Sequence, residues 1–307
     1  MLEIIETTGN LGDRIKNYEQ NYEKIIPRTE HLIVRIDGHH FSSFTKGFKK
    51  PFDKAITNAM IATTRDLHER FNCYSSYTQS DEITLFIPSP KLVQESSKGK
   101  SLQNHIFSGR TNKISSLCAA YASMSFNKHL NEEFMKERME IADRWEDAFR
   151  MTEEERVDRR TLERFNNKLE NAYFDARCFG VDSLEEVYNV FLFRGRDCIK
   201  NSKSMFSFAY CSHKELLNKN GEEQIQYCLE KTGKDWNLIE DKYKYGTLVK
   251  KELYEKPVDY RDLEYSDRAK YKTPSQPTCI RSRLTELYIP INTFSTEGVE
   301  LISKQYK

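Results

Sequence analysis

A short apolar stretch that stops at Asp37 and Gly38 constrains this chain more than any other part of its sequence. Residues 31–37 alternate between aliphatic side chains on one face and mixed side chains on the other, and we interpret the stretch as a buried β-strand. The strand ends where a carboxylate meets glycine, which lets the backbone approach a ligand closely or adopt positive φ. Asp-Gly at such a place is typical of an Asx-type turn. It also fits a metal site in which the glycine carbonyl is a second oxygen ligand.

A second acidic stretch follows about forty residues later. Residues 74–78 and 83–87 are predicted to be two short strands of a hairpin, and its tip carries adjacent carboxylates at Asp81 and Glu82. Adjacent like charges repel each other and add no packing, so an exposed turn and a metal site both explain them. The order of strand, helix and hairpin places the acidic ends of neighbouring strands together. Asp37 and Asp81 could then share divalent cations that bind a nucleotide triphosphate.

The helices around these strands are predicted from apolar periodicity and capping residues. Residues 11–26 repeat apolar side chains at helical spacing up to Pro27, and we expect this first helix to pack on the core. Asp53 fits the N-cap of a second helix with a buried stripe. Ser183 with Glu186 predicts a capping box at the start of a later one.

Three cations occupy positions that suit an anion. Lys50 precedes Pro51 in a loop and is either solvated or in contact with phosphate. Arg110 and Lys113 stand at the start of another predicted helix, where the helix dipole disfavours positive charge. A bound anion explains their presence there, and a solvated helix face is the alternative.

Composition limits the classes of protein to which the chain can belong. The net charge of the 307 residues is +1, so a polynucleotide surface must be local. The seven cysteines are widely spaced without a C-x-x-C, which favours free thiols in a reducing compartment over disulfides or zinc. The N-terminal residues lack a signal-peptide pattern, and no apolar run is long enough for a membrane span. We therefore expect a cytoplasmic protein with no membrane partner.

Four motifs in combination resemble the tRNA-His guanylyltransferase superfamily, whose members add nucleotides to RNA 5′ ends in the 3′-to-5′ direction. The motifs are Arg35-Ile-Asp37-Gly38-x-x-Phe41-x-x-Phe44, Lys50-Pro51-x-Asp53, Gln79-Ser80-Asp81-Glu82 and Arg110-x-x-Lys113. The resemblance extends over residues 10–255 apart from a highly charged segment. It implies an α+β fold: a polymerase-type palm with an antiparallel, ferredoxin-like sheet flanked by helices, plus helical additions.

The resemblance also implies which residues form the site. Catalysis is assigned to Asp37, Asp81 and Glu82, and two Mg²⁺ ions to Asp37, the Gly38 carbonyl and Asp81. The residues implied to contact nucleotide, its phosphates or the RNA end are Asp37, Gly38, His39, His40, Phe41, Ser42, Lys50, Ser80, Asp81, Arg110, Lys113, Asn201 and Ser202.

The implied reaction has two stages. ATP first activates a 5′-monophosphorylated RNA to an adenylylated end, and the 3′-hydroxyl of an incoming nucleotide then attacks that end. A 5′-triphosphate end needs no activation. Metal ions neutralise phosphate charge and help to form the attacking alkoxide. The implied partners are tRNA at its 5′ end and acceptor stem, ATP, GTP and other NTPs, and further copies of the chain in a homotetramer.

One motif separates two branches of this superfamily. Guanylyltransferases proper carry His-Ile-Asn-Asn-Leu-Tyr-Asn after an Asp-Cys pair, whereas here Asp197-Cys198 is followed by Ile-Lys-Asn201-Ser202-Lys-Ser-Met. This segment resembles the guanylyltransferase-like branch, which favours template-directed repair of truncated tRNA 5′ ends. We therefore expect template-dependent 5′-end repair, with addition of a single G to tRNA-His as the alternative.

Two alternatives belong to other classes of protein. A nucleotidyl cyclase also uses paired metal-binding carboxylates on a palm-like sheet. A non-catalytic RNA-binding module is the other, and the intact acidic set argues against it. Bare carboxylates hinder RNA binding unless metal ions neutralise them.

Residues 1–307 are expected to form a single catalytic unit with four parts. The palm core with the metal site covers 1–130, and a charged helical insertion covers 131–170. The catalytic domain is completed by 171–255, and 256–307 form a C-terminal extension.

Overall fold

A computed structural model describes residues 10–96, 104–143, 169–258 and 278–307. Its six strands are β1 (His31–Gly38), β2 (Ser75–Gln79), β3 (Glu82–Ile87), β4 (Phe174–Val181), β5 (Thr247–Pro257) and β6 (Thr278–Leu287). Its α-helices are α1 (Leu11–Gln20), α2 (Phe41–Phe44), α3 (Lys54–Arg70), α4 (Pro90–Ser96), α5 (Thr111–Asp143), α6 (Leu184–Tyr210), α7 (His213–Leu216), α8 (Gly221–Thr232), α9 (Asp241–Tyr245) and α10 (Thr296–Ser303).

The strands form one antiparallel sheet in the order β4-β1-β3-β2-β5-β6. The first part of the chain runs β1, α3, β2, β3, α5, β4, and its four strands lie in the order β4-β1-β3-β2. This is the ferredoxin-like arrangement of a polymerase-type palm. The predicted α+β fold class is confirmed, and β5 and β6 extend the sheet beyond the palm.

Alternation along β1 places a core on each face of the sheet. Leu32 and Val34 pack with side chains from α3 and α5 in one buried cluster. Ile33, on the other face, packs with Val187 and Phe191 of α6 in a second cluster. Successive side chains of β1 point to opposite faces of the sheet, and each face is packed against helices. The second face is also the one to which the side chain of Asp37 belongs.

The first helix is shorter than predicted and does not pack on the core. It ends at Gln20, and none of its ten residues is buried. Leu11 and Tyr18 are 63% and 60% exposed. The prediction of core packing is therefore wrong for 11–20, although Ile26 at the end of the predicted segment is buried in the first core cluster. Periodicity shows that one face of a helix is apolar without showing what covers that face.

The later parts of the chain are continuous with the palm. The predicted insertion begins within α5, which reaches Asp143, and residues 144–168 lie outside the described residues. The predicted C-terminal extension supplies β6 to the sheet, and Ile302 of α10 belongs to the second core cluster. Across the described ranges, no helix is both long and apolar enough to cross a bilayer.

Candidate active site

The ends of β1 and of the β2–β3 hairpin meet at one edge of the sheet. Asp37 lies directly opposite Glu82 in the pairing of β1 with β3. The backbone N–H of Gly38 donates a hydrogen bond of 3.0 Å to the carbonyl of Asp81. Between the paired strands the chain reverses through Ser80, whose φ is 51°. The structure therefore brings the two predicted acidic stretches together.

The carboxyl groups at this edge perturb one another. Burial raises the pKa of Asp81 above its usual value, and the neighbouring charges of Asp37 and Glu82 raise it further, against a hydrogen bond from Ser80. Burial also raises the pKa of Asp37, and the Glu82 carboxylate adds to the effect. Partly buried carboxylates that repel each other favour a bound cation.

Two arginines hold Glu82 in place. Arg35 Nη2 donates to Glu82 Oε1 and, at 2.9 Å, to Asp37 Oδ2. Arg194 Nη1 lies 3.0 Å from Glu82 Oε2, which also accepts a hydrogen bond of 2.8 Å from Gln79 Nε2. Both carboxylate oxygens of Glu82 are therefore engaged by the protein. The predicted catalytic role of Glu82 stays a prediction, and its role in this structure is to orient two guanidinium groups.

Gly38 is required by a close approach of Phe41. A Cβ at position 38 would lie 2.3 Å from the Phe41 ring. That ring packs against Phe126 and Phe174 with centroid separations of 5.3 and 5.1 Å. The glycine thus lets the chain turn from β1 into α2 over an aromatic cluster, which fixes the carboxylate edge to the core.

A cavity of about 340 Å³ opens beside the carboxylates, between the α2–α3 loop, the β2–β3 hairpin, α6 and α9. This volume lies within the range of small-molecule sites. Seven of the predicted nucleotide-contacting residues line it: Phe41, Ser42, Lys50, Ser80, Asp81, Asn201 and Ser202. Ser202 is buried and accepts a hydrogen bond of 3.0 Å from Trp236 Nε1.

The far wall of the cavity contains residues that the sequence did not reveal. Phe52 stacks on Tyr243 with ring centroids 4.9 Å apart and planes 9° from parallel, and Lys242 adjoins them. Phe52 occupies the x position of the Lys50-Pro51-x-Asp53 motif, and that motif is the sequence signal by which it could have been identified. Lys242 and Tyr243 come from a distant part of the chain that only the fold brings near.

Six of the predicted nucleotide-contacting residues do not line this cavity. Asp37 and Gly38 lie at the carboxylate edge beside it, and the other four are His39, His40, Arg110 and Lys113. His39 and His40 are exposed at the end of β1. Arg110 forms an isolated β-bridge with Ile25. Ile25 lies in the segment that leads into the start of β1, whereas Asp37 lies at the end of that strand. Phe126 of α5 packs on Phe41 near the carboxylates. Lys113 lies about 20 Å from Phe126 along the axis of the same helix. Arg110 and Lys113 are therefore not brought to the carboxylates of their own chain.

The oxygen donors at this edge are compatible with Mg²⁺. Among the described residues, no three His, Cys, Asp or Glu side chains converge as a metal-binding set. Mg²⁺ does not require one, because it is usually held by one or two carboxylates together with substrate phosphates and water. Asp37, Asp81 and the Gly38 carbonyl offer hard oxygen donors. Burial is the main cause of the raised pKa of both aspartates, and a bound cation would favour their ionised forms.

The sequence matches known proteins along most of its length. The family profile of tRNAHis guanylyltransferase (Thg1) matches residues 12–182. The uncharacterized protein R259 of Acanthamoeba polyphaga mimivirus is 32% identical over 249 residues, which cover 79% of this chain and 77% of that protein. The resemblance predicted from the four motifs is confirmed.

Solved structures agree with this assignment. A bacterial tRNA(His) guanylyltransferase (Thg1)-like protein in complex with ATP is 28% identical, with a TM-score of 0.63 over 91% of this chain and 92% of that one. The same kind of protein in complex with GTP is 27% identical, with a TM-score of 0.58 and equal coverage. The tRNA(His) guanylyltransferase of Saccharomyces cerevisiae, 20% identical with a TM-score of 0.52 over 75% of this chain and 90% of that one, shares the fold.

Proposed function

Because the chain belongs to the tRNAHis guanylyltransferase (Thg1) family of nucleotidyltransferases, we propose that it extends the 5′ end of tRNA in the 3′-to-5′ direction. The proposed activity is template-dependent repair of truncated 5′ ends, with ATP and other NTPs as substrates and Mg²⁺ as the metal. The proposed setting is the cytoplasm, and the proposed assembly is a homotetramer.

One observation carries the proposal: the cavity that holds Lys50 and Asn201 reaches Asp81 at the carboxylate edge. A nucleotide seated there would have its base among the aromatic and amide side chains of the far wall. Its triphosphate would lie toward Asp81, where Lys50 offers a charged donor for phosphate. The solved complexes of the bacterial relatives with ATP and with GTP support a nucleotide as the ligand.

Each residue at the carboxylate edge has a proposed task. Asp37, Asp81 and the Gly38 carbonyl would hold Mg²⁺. Bound there, Mg²⁺ supplies neutralisation of phosphate charge and assists formation of an alkoxide nucleophile. Glu82 positions Arg35, whose guanidinium already lies against Asp37 and adds fixed positive charge beside the reacting phosphates.

The proposed reaction is two phosphoryl substitutions at this edge. In the first, an oxygen of the RNA 5′-phosphate attacks the α-phosphorus of ATP, and pyrophosphate leaves. In the second, the 3′-hydroxyl of the incoming NTP attacks the RNA 5′-phosphorus, and AMP leaves while the hydroxyl proton passes to solvent or to an aspartate. The side chains of this chain position the phosphates and stabilise their charge, which is most of what such reactions need.

The decisive experiment uses tRNAs that lack one or two 5′ nucleotides and carry different opposing bases in the acceptor strand. Each RNA is incubated with Mg²⁺, ATP and one NTP at a time, and the products are sequenced. We expect incorporation to follow the opposing base and to stop when the stem is complete. Incorporation of G alone, whatever base opposes it, would favour single-G addition to tRNA-His.

The same assay separates the other classes of protein. Cyclic nucleotide formed without RNA would identify a nucleotidyl cyclase. Binding of RNA without any end-labelled product would identify a non-catalytic module. Asp37→Ala and Asp81→Ala are the matched inactive variants, and their circular dichroism should equal that of the wild type.

A further inference from the structure

An aromatic stack stands at the end of β1, on the side away from the nucleotide cavity. The ring of His39 stacks on Tyr173 with centroids 4.9 Å apart and planes 26° from parallel. The His39 N–H donates a hydrogen bond of 2.9 Å to the Tyr173 carbonyl, and His40 packs edge-on against His39 at 4.1 Å. None of these three residues lines the cavity. In the sheet, β4 and the β2–β3 hairpin lie on opposite sides of β1.

The outer surface of this stack is open to solvent. Tyr173 is 55% exposed, and both histidines are exposed. Tyr173 leads into β4, whose register sets Asp175 opposite Asp37 and Arg177 opposite Arg35. The stack is therefore next to the carboxylate edge, and the exposed guanidinium of Arg177 follows it along the strand.

The proposed reaction needs two substrates at one edge. The cavity accounts for a nucleotide, and the RNA end must reach the same carboxylates from another direction. Proteins grip the unpaired or terminal bases of RNA by stacking them on aromatic side chains, and an arginine beside them contacts the phosphate backbone. The stack of His39 and Tyr173 lies beside Asp37, so it offers this kind of surface next to the reacting groups.

We propose that His39 and Tyr173 form a platform on which the outermost base at the RNA 5′ end stacks while its phosphate lies at the carboxylate edge. This inference rests on the proposed function for the identity of the RNA. It assigns to His39 a contact with the RNA end, distinct from the NTP in the cavity. Tyr173 joins the site although none of the four family motifs contains it.

The first test measures stacking directly and requires no catalysis. A tRNA acceptor-stem RNA carries 2-aminopurine as its 5′-terminal base, and its fluorescence is titrated with protein. The variants are Tyr173→Ala, Tyr173→Phe and, as the matched control, Phe179→Ala. Phe179 is an exposed aromatic on the same face of β4, about 20 Å along the strand.

We expect the wild type, Tyr173→Phe and Phe179→Ala to quench the fluorescence and Tyr173→Ala to lose the quenching. The RNA dissociation constant should rise roughly 5- to 150-fold in Tyr173→Ala, the range of one base–aromatic stack. Equal quenching by Tyr173→Ala and the wild type would overturn the platform. So would an equal loss in Phe179→Ala, because the effect would then belong to the whole surface.

Steady-state kinetics of nucleotide addition then separates the two substrates. Tyr173→Ala and His39→Ala should raise KM for RNA and leave KM for ATP within about twofold. A raised KM for ATP with unchanged RNA affinity would place the stack in the nucleotide site and overturn the inference. Failure of the proposed function is distinguishable, since a wild type that quenches the RNA probe but adds no nucleotide would retain the platform and lose the activity.

Discussion

Asp81 is a residue at which function works against stability. Burial and the neighbouring carboxylates raise its pKa, so the ionised side chain destabilises the metal-free fold at neutral pH. A raised carboxyl pKa means that the folded state binds the proton more readily than the unfolded state. The destabilisation is therefore complete above the raised pKa and disappears as pH falls toward 3.8, the ordinary pKa of an aspartate.

Replacing Asp81 with asparagine should remove this repulsion while retaining the shape of the side chain. In chelator and at neutral pH we expect Asp81→Asn to melt about 2–4 °C above the wild type, the shift that about 1 kcal/mol gives in a large domain. The difference in melting temperature between the two proteins should shrink as pH falls from the raised pKa of Asp81 toward 3.8. Thermal scans at several pH values measure it.

Metal addition supplies the second half of this test. Mg²⁺ should raise the melting temperature of the wild type and leave that of Asp81→Asn nearly unchanged, because binding to the native state alone stabilises it. A variant less stable than the wild type in chelator would contradict the destabilisation by the ionised Asp81. Equal stabilisation of both proteins by Mg²⁺ would contradict the assignment of Asp81 as a metal ligand.

Lys50 carries a separate prediction about phosphate recognition. Lys50→Met keeps the length of the side chain in the cavity wall and removes its charge. We expect KM for the NTP to rise roughly tenfold or more, the effect of losing one charge-assisted hydrogen bond, with a smaller change in kcat. Lys46→Met, in the same loop but outside the cavity lining, is the control, and an equal effect in both variants would refute the specific role.

The sequence predicted which residues come together where the order of neighbouring strands and helices determines the contact. The sequence of strand, helix and hairpin was sufficient to bring Asp37 and Asp81 to one edge. Arg194 could not be found in this way, because its pairing with Glu82 spans 112 positions and depends on how α6 crosses the sheet. Arg35 could have been assigned from strand alternation, since it shares a face with Asp37.

Among the elements, β5 secures the end of the chain through a buried lysine. Lys250 is fully buried, and its ammonium donates to the Tyr74 carbonyl at 2.9 Å, to Ser75 Oγ at 3.0 Å and to the Lys304 carbonyl. Lys304 is the C-cap of α10, where helix carbonyls and the helix dipole favour a cation. Ser75 also donates to the carbonyl of Ile302, so β2, β5 and α10 share one network.

Lys250→Met should loosen this C-terminal element. It leaves buried acceptors without a donor, which destabilises by about 1–3 kcal/mol at neutral pH. Hydrogen exchange should show faster opening of α10 than of β1, because α10 docks through the network that has been removed. Lys251→Met is the neighbouring control on the same strand. Unchanged protection of α10 in Lys250→Met would contradict the role.

The difference in stability between the wild type and Lys250→Met should depend on pH, which gives a further check. Burial lowers the pKa of Lys250 to about 7. Above that value the unfolded chain binds a proton on this lysine that the folded chain does not, so its contribution to stability rises with pH until about 10.5. The stability of the wild type relative to Lys250→Met should therefore increase between pH 7 and 10. A constant or falling difference would show that the ammonium is not desolvated.

Elements were predicted well where capping and periodicity coincide. Asp53 caps α3 through a hydrogen bond of 3.1 Å from the Ile56 N–H, as expected. The start of α6 also follows Ser183, whose side chain accepts from the Glu186 N–H at 3.2 Å. The length of α6 was not predicted, since no local signal shows that its 27 residues continue across the sheet to carry Asn201 into the cavity.

At the scale of the whole molecule, the candidate site needs both halves of the chain. The family match covers 12–182, which includes the carboxylates and Lys50. The opposite wall of the cavity comes from α6, α9 and the start of β5. Composition and motif order predicted one catalytic unit, but only the packing of α6 on the palm shows how residues beyond the matched range face the nucleotide.

The exposed helix α1 is relevant to how copies of this chain assemble. An isolated helix shorter than about 12–15 residues is marginal in water, and α1 has ten residues, none of them buried within its own chain. Its exposed apolar side chains include Ile15 and Tyr18. The same helix carries Asp13 and Lys16, charges of both signs, which allow complementary pairing with a second copy of the same surface. We therefore expect α1 to lie between copies of this chain.

Light scattering coupled to size exclusion tests this expectation at micromolar concentration. The wild type should have the mass of an oligomer, with four copies as the proposed number, and the double variant Ile15→Asp, Tyr18→Asp should have a smaller mass with an unchanged fold by circular dichroism. Leu238→Asp is the matched control, because Leu238 is 84% exposed on a different element. A monomeric wild type would refute the assembly. An oligomer that survives the double variant would place the contact elsewhere, because two buried charges facing their own copies cannot be accommodated in an apolar interface.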